Sequence, residues 1–160
     1  MRWITDIDME NVPFWALSVA YSAHILEEYI LDWKSWAEKT SGLKMDWSEF
    51  LLANAAVIVL GICCSAVGFD CPVFAYLFVG LATVNALFAH IGTTIAKRCF
   101  SPGVITSILF FLPLSAWAYY IAWEKEILTP LFLTLSLVGG FLIMSFPVML
   151  QLLKQKMNKK

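Results

Sequence analysis

His24, Glu27 and Glu28 lie three and four residues apart in the run His24-Ile25-Leu26-Glu27-Glu28. On an α-helix such residues return to one face, so an imidazole and two carboxylates project into one small volume. Together they can hold a divalent cation, act as an acid/base pair or relay protons. The motif sits inside the first long apolar stretch of the chain, 13–32. An ionisable side chain at membrane depth costs at least ~2.5–3.5 kcal/mol on insertion scales, so three of them together call for a function.

The elements that must position these groups follow from the hydropathy. The chain has 160 residues, 60% apolar and 14% charged, with net charge −1, and its mean hydropathy is +0.74. These values exclude a soluble globular domain. About 20 apolar residues span a bilayer core as a helix. The stretches 13–32, 50–68, 72–96, 104–123 and 128–153 therefore predict one all-α domain over 1–160, a polytopic membrane bundle of five transmembrane helices. The mixed polar opening, with Asp6, Asp8 and Glu10, carries no signal-peptide pattern, so the first span is expected to be retained.

With five spans laid down, Lys34, Lys39, Lys44, Lys97, Arg98, Lys154, Lys156, Lys159 and Lys160 fall on one side, and Arg2 and Lys125 on the other. The positive-inside rule then predicts an outside amino terminus and a cytoplasmic carboxyl terminus, as in a bacterial inner membrane protein. The loop at 33–47 suits a short interfacial helix broken at Gly42. Cys63, Cys64, Cys71 and Cys99 have no paired spacing and are expected to be packing thiols. Gly139 and Gly140 are expected to allow close helix packing, and Pro113 and Pro147 to kink their helices.

Topology gives each buried polar residue a depth. His24 lies roughly 12 Å from the inner end of the first helix, Glu27 and Glu28 about 6–8 Å, and His90 roughly 10 Å from Lys97. Asn54 enters from the same side, and Asn85 lies deeper on the His90 helix. The polar groups of three helices therefore converge in the cytoplasmic half of the bilayer, where a cavity is expected. Two histidines with one glutamate form an N,N,O set suited to Zn²⁺ or Fe²⁺, with His24, Glu28 (or Glu27) and His90 as ligands. The other glutamate is left for proton transfer or for orienting an imidazole. Tyr21 shares the face of His24 and is expected chiefly as a packing aromatic. The alternative without chemistry is a buried polar knot of interhelical hydrogen bonds.

His24-x-x-Glu27-Glu28 in a first membrane helix, then Asn85-Ala-Leu-Phe-Ala-His90, then Phe100-Ser101-Pro102-Gly103-Val-Ile-Thr106, resembles the HXXEE family of small integral membrane proteins over most of the chain. The resemblance implies that His24, Glu27, Glu28, Asn85, His90 and the Pro102-Gly103 turn form the functional set, and it lends no reaction. It leads one to expect Tyr where this chain has Phe100, which leaves no phenol there. Independently of the resemblance, Pro102-Gly103 suits a tight turn into the fourth span, with Thr106 as a cap or a cavity residue.

The function expected is an integral membrane enzyme with catalytic Glu27, Glu28 and His24, performing metal-dependent hydrolysis or acid/base chemistry on a lipid or isoprenoid-like substrate. Asn54, Asn85, Tyr21 and Thr106 would support the site or bind substrate. A proton-coupled carrier or small-molecule-binding membrane protein is the alternative, although no inverted repeat is visible; a stabilising subunit of a larger complex is a third. Membrane lipid is the expected partner and nucleic acid is not. The sequence sets no oligomeric state.

Overall fold

The computed structural model describes residues 9–157. The charges of Arg2, Asp6, Asp8, Lys159 and Lys160 lie outside the described residues. Helix α1 (Val12–Ile30) opens on Pro13, where a missing N–H is tolerated because the first donors of a helix have no intrahelical acceptor. Asp32 adopts the left-handed conformation and its carboxylate accepts from the Ser35 N–H, which starts α2 (Trp33–Ser41). Gly42, at φ 72°, ends α2 as the sequence predicts. Helix α3 (Trp47–Val67) follows, with Glu49 accepting from the Asp46 N–H at 3.0 Å.

A 3-10 turn at Gly68–Asp70 leads into α4 (Pro72–Lys97), then α5 (Val104–Glu124) and α6 (Pro130–Met157). No strand occurs among the described residues. Four helices are long and apolar enough to cross a membrane: α3 with its 3-10 extension, α4, α5 and α6. At ~1.5 Å per residue even the 21 residues of α5 reach about 32 Å, against a hydrocarbon core of about 30 Å. These four helices mark a membrane protein. Helix α1, with 19 residues, is not among the four, because His24, Glu27 and Glu28 dilute its apolar character. Val19, Leu52, Phe88 and Leu131 are exposed, as expected where lipid tails replace water.

Small residues let the helices meet. A Cβ on Gly80 would stand 2.0 Å from the Ser136 carbonyl oxygen, and one on Gly140 would stand 2.2 Å from the Leu81 nitrogen, so α4 and α6 touch backbone to backbone. Hydroxyls reinforce the contact: the Ser136 hydroxyl donates to the Tyr76 carbonyl at 2.5 Å and lies 2.7 Å from the Tyr119 hydroxyl. Tyr76 itself donates to the Ala118 carbonyl at 2.5 Å, which joins α4 to α5. Ser18 and Ser65 pair at 3.0 Å between α1 and α3. The four cysteines are free thiols, and Cys64 donates to the Phe74 carbonyl.

Two helices carry wide π turns. They occupy Asn85–Gly92 of α4 and Ser107–Phe111 of α5, and they pack against each other. Local causes are visible. The Thr93 hydroxyl donates into the ladder at the Ala89 and His90 carbonyls, and Pro113 has no N–H to give to the turn before it. Such turns are frequent at functional sites, and both border the polar cluster.

Candidate metal centre

His24 and Glu28 stand one turn apart on α1, and His90 faces them from the π segment of α4. Glu28 Oε1 lies 3.7 Å from His24 Nε2 and 3.6 Å from His90 Nε2. Each residue offers a ligand atom, and the three atoms lie within 4.8 Å of one another. Zinc ligands at ~2.0–2.2 Å in tetrahedral array sit about 3.3–3.6 Å apart, a spacing that both contacts to Glu28 approach. Both histidines are 1% exposed and Glu28 6%. Neither Nε2 has a hydrogen-bond partner. A buried, unpaired ring nitrogen is costly unless something satisfies it, and a shared cation facing Glu28 would satisfy both.

The opposite ring nitrogens are held. His24 Nδ1 lies 2.7 Å from the Thr106 hydroxyl, and His90 Nδ1 3.2 Å from the Ser101 hydroxyl. Thr106 donates its hydroxyl proton to Glu27 Oε2 at 2.6 Å. Its oxygen is therefore left to accept from His24 Nδ1–H, which turns the lone pair of Nε2 toward Glu28. Ser101 donates to the Pro102 carbonyl at 3.4 Å, so His90 can use the same arrangement. The rings meet edge to face at 4.7 Å between centroids, with Phe111 4.6 Å from His24 as an apolar wall.

Glu27 points elsewhere. Its Oε1 accepts from the N–H groups of Gly103 and Ile105 at 3.0 and 3.1 Å, and its Oε2 from the Thr106 N–H at 2.8 Å and the Thr106 hydroxyl. A carboxylate offers about four lone-pair sites, so these donors saturate it. The donors are the unpaired N–H groups at the start of α5, where a negative charge is also favoured by the helix dipole. Glu27 thus clamps the α4–α5 turn to α1, outside the three-residue group, while Glu28 enters it.

Gly103 in that turn has φ 97°, and a Cβ there would fall 2.5 Å from His90 Cε1 and 2.6 Å from His24 Cε1. Only glycine lets the backbone pass so close to both imidazoles. The Pro102-Gly103 turn therefore borders the candidate site, and Ser101 is a partner of His90 that the sequence did not single out. A hydroxyl eleven residues after His90 gave no usable signal, because α4 ends at Lys97 and Ser101 returns to His90 only through the turn.

Beside the cluster is a cavity of about 160 Å³ bordered by Glu28 and His90 and, on its other sides, by Tyr21, Asn54 and Asn85. Tyr21 donates to Asn54 Oδ1 at 3.1 Å and Asn54 donates to the Phe50 carbonyl at 3.0 Å, so α1 and α3 are tied next to the site. The Asn85 side-chain oxygen is buried without a partner. Of the sequence-derived set, His24, Glu28 and His90 converge; Thr106 and Glu27 form the outer ring; and Tyr21, Asn54 and Asn85 line the cavity.

The family described as "Protein of unknown function with HXXEE motif" matches residues 15–118, and the chain belongs to it. The chain is also 25% identical to the uncharacterized protein YrkK of Bacillus subtilis over 142 residues, covering 81% of this chain and 88% of that protein. No solved structure matches.

Proposed function

We propose that this HXXEE protein is an integral membrane metalloenzyme that binds Zn²⁺ or Fe²⁺ through His24, Glu28 and His90 and hydrolyses a lipid-like substrate. The observation that carries the proposal is the pair of buried, unpartnered Nε2 atoms aimed at one carboxylate oxygen. Three protein ligands leave a coordination position open, which is the pattern of catalytic rather than structural zinc. A cation there would polarise water or a carbonyl. In hydrolysis the water oxygen bonds to the acyl carbon and the acyl–heteroatom bond breaks with its electron pair going to the leaving atom. With Glu27 saturated, the second oxygen of Glu28 is left to take the water's proton and return it to that atom.

In this proposal α1 is a fifth span, its polar face turned inward against α3, α4 and α5. The ties Lys154–Glu49 and Gln155 to the Lys44 carbonyl bring the α6 carboxyl end beside the 33–47 segment. That gathers lysine-rich segments at one end of the bundle and supports a cytoplasmic carboxyl terminus in a bacterial-type inner membrane.

The test is metal analysis of detergent-purified protein together with lipid profiling of expressing cells. About one Zn²⁺ or Fe²⁺ per chain is expected in the wild type, with loss in H24A, H90A and E28Q, and a lipid change that depends on Glu28. Absence of stoichiometric metal, with an E28Q lipid profile equal to wild type, would overturn the proposal.

A further inference from the structure

The cavity at the metal centre has an apolar annex. Between α3 and α6 runs a groove of about 560 Å³, walled by Leu52, Ala56 and Leu60 on one side and Phe146 and Leu150 on the other. Its size lies in the ~300–1,000 Å³ range typical of ligand sites. Met45, Ala53, Val57, Ile143 and Pro147 line both the groove and the cavity, so the two adjoin across those side chains. Ala53 and Ala56 are three residues apart and so share one face of α3. Their small side chains leave the space that leucines would fill. Both helices are among the four suited to a bilayer, so a groove between them opens to acyl chains rather than to water.

The charge on the cavity wall limits what its polar end can receive. Among the described residues no Lys or Arg lines the cavity. Three lysines near that end are paired: Lys34 with Asp46, Lys44 with Glu38 and Lys154 with Glu49. Phosphate and diphosphate groups are recognised by clustered cationic donors, and a divalent cation already facing Glu28 supplies a net charge of only about +1. At about 160 Å³ the cavity resembles the engineered ~150 Å³ cavity that holds one benzene. A head of a few heavy atoms fits it, and a glycerophosphate head does not. The unpartnered Asn85 oxygen can accept from an O–H or N–H of such a head.

We infer that the substrate is a single-chain amphiphile with a small uncharged head, such as an acyl amide or ester, whose chain lies in the α3–α6 groove and whose head enters the cavity between Glu28 and Asn85. This rests on the metal-centre proposal for the reacting end, and the chain site is testable apart from it. Detergent-purified protein is irradiated with a diazirine-bearing hexadecanol or, as the charged counterpart, a diazirine-bearing hexadecyl diphosphate, and cross-links are located by peptide mass spectrometry. Labelling by the alcohol is expected on the α3 and α6 segments that wall the groove and to fall about tenfold or more in A56W, with a smaller loss in A56L as the groove is partly filled. I62W, on the exposed side of α3 turned away from Ala56, is expected to leave it unchanged.

Equal labelling of all exposed helix faces, which marks surrounding lipid alone, would overturn the inference. So would diphosphate labelling as strong as that by the alcohol. Bound Zn²⁺ without groove labelling overturns the chain site and leaves the metal centre. Groove labelling without bound metal upholds the chain site and overturns the metal centre.

Discussion

Thr106→Val isolates the outer ring of the proposed metal centre from its ligands. The hydroxyl of Thr106 lies 2.6 Å from Glu27 Oε2 and 2.7 Å from His24 Nδ1, and valine keeps the shape while deleting both bonds. Glu27 retains its three backbone donors, so the clamp on the α4–α5 turn survives. His24 loses the acceptor that fixes its tautomer. A hydrogen bond to a charged group contributes about 1.5–3 kcal/mol, and loss of an outer partner of a metal-ligating histidine weakens metal binding by about 10–100-fold. At about 1.4 kcal/mol per decade the two scales agree. We expect Zn²⁺ affinity, measured by competition with a chromophoric chelator in detergent, to fall by about 10–100-fold in T106V and to return to within about threefold of wild type in T106S. Wild-type affinity in T106V would refute the relay from Glu27 through Thr106 to His24. Equal weakness in T106S would also refute it, by showing that shape rather than the hydroxyl matters.

Two further substitutions divide the roles of neighbouring groups. Glu27→Gln places an NH₂ against two of the four donors at the start of α5, and at about 1–3 kcal/mol per unmade bond it should lower unfolding stability by about 2–6 kcal/mol in a detergent thermal melt. Glu28→Gln, measured beside it with chelator present, should stay within about 1 kcal/mol of metal-free wild type while losing metal binding. Gly103→Ala forces a Cβ toward both imidazoles at a φ of 97°; chelator competition should show Zn²⁺ affinity down more than about tenfold, with a strain cost of about 1–3 kcal/mol in the melt.

The spacing of His24, Glu27 and Glu28 located one helix's share of the site, and the shared depth of His90 brought in the second helix. Gly42 and Gly140 act where glycine's local rules place them, as a helix stop and a close-packing surface. The division between Glu27 and Glu28 was not legible. Adjacent helical residues diverge by about 100°, and which of them meets His90 depends on where α4 and the 101–106 turn dock. Ser101 was equally hidden, because its partnership with His90 exists only once the α4–α5 turn folds back. Pro113 was expected to kink its helix, and a π segment ends just before it at Phe111; periodicity at 3.6 residues cannot foretell that widening.

The paired π segments change how the chain tolerates insertion and deletion. A π turn accommodates one residue beyond the α-helical count, and each residue of an α-helix advances the face by about 100°. Removing one residue between 85 and 90 would let α4 relax to an ordinary helix of nearly the same length, still able to cross a bilayer. The residues after the deletion would keep nearly the same facing, because the wide turn had absorbed the extra one, whereas the same deletion in the α-helical part of α4 before it, at 73–84, would swing His90 by about 100° relative to that part. The π segment thus buffers the group against a change of one residue within it, the stretch from His24 to Glu28 on α1 has no such slack, and α6 could lose or gain a residue near its carboxyl end without moving any of the three side chains.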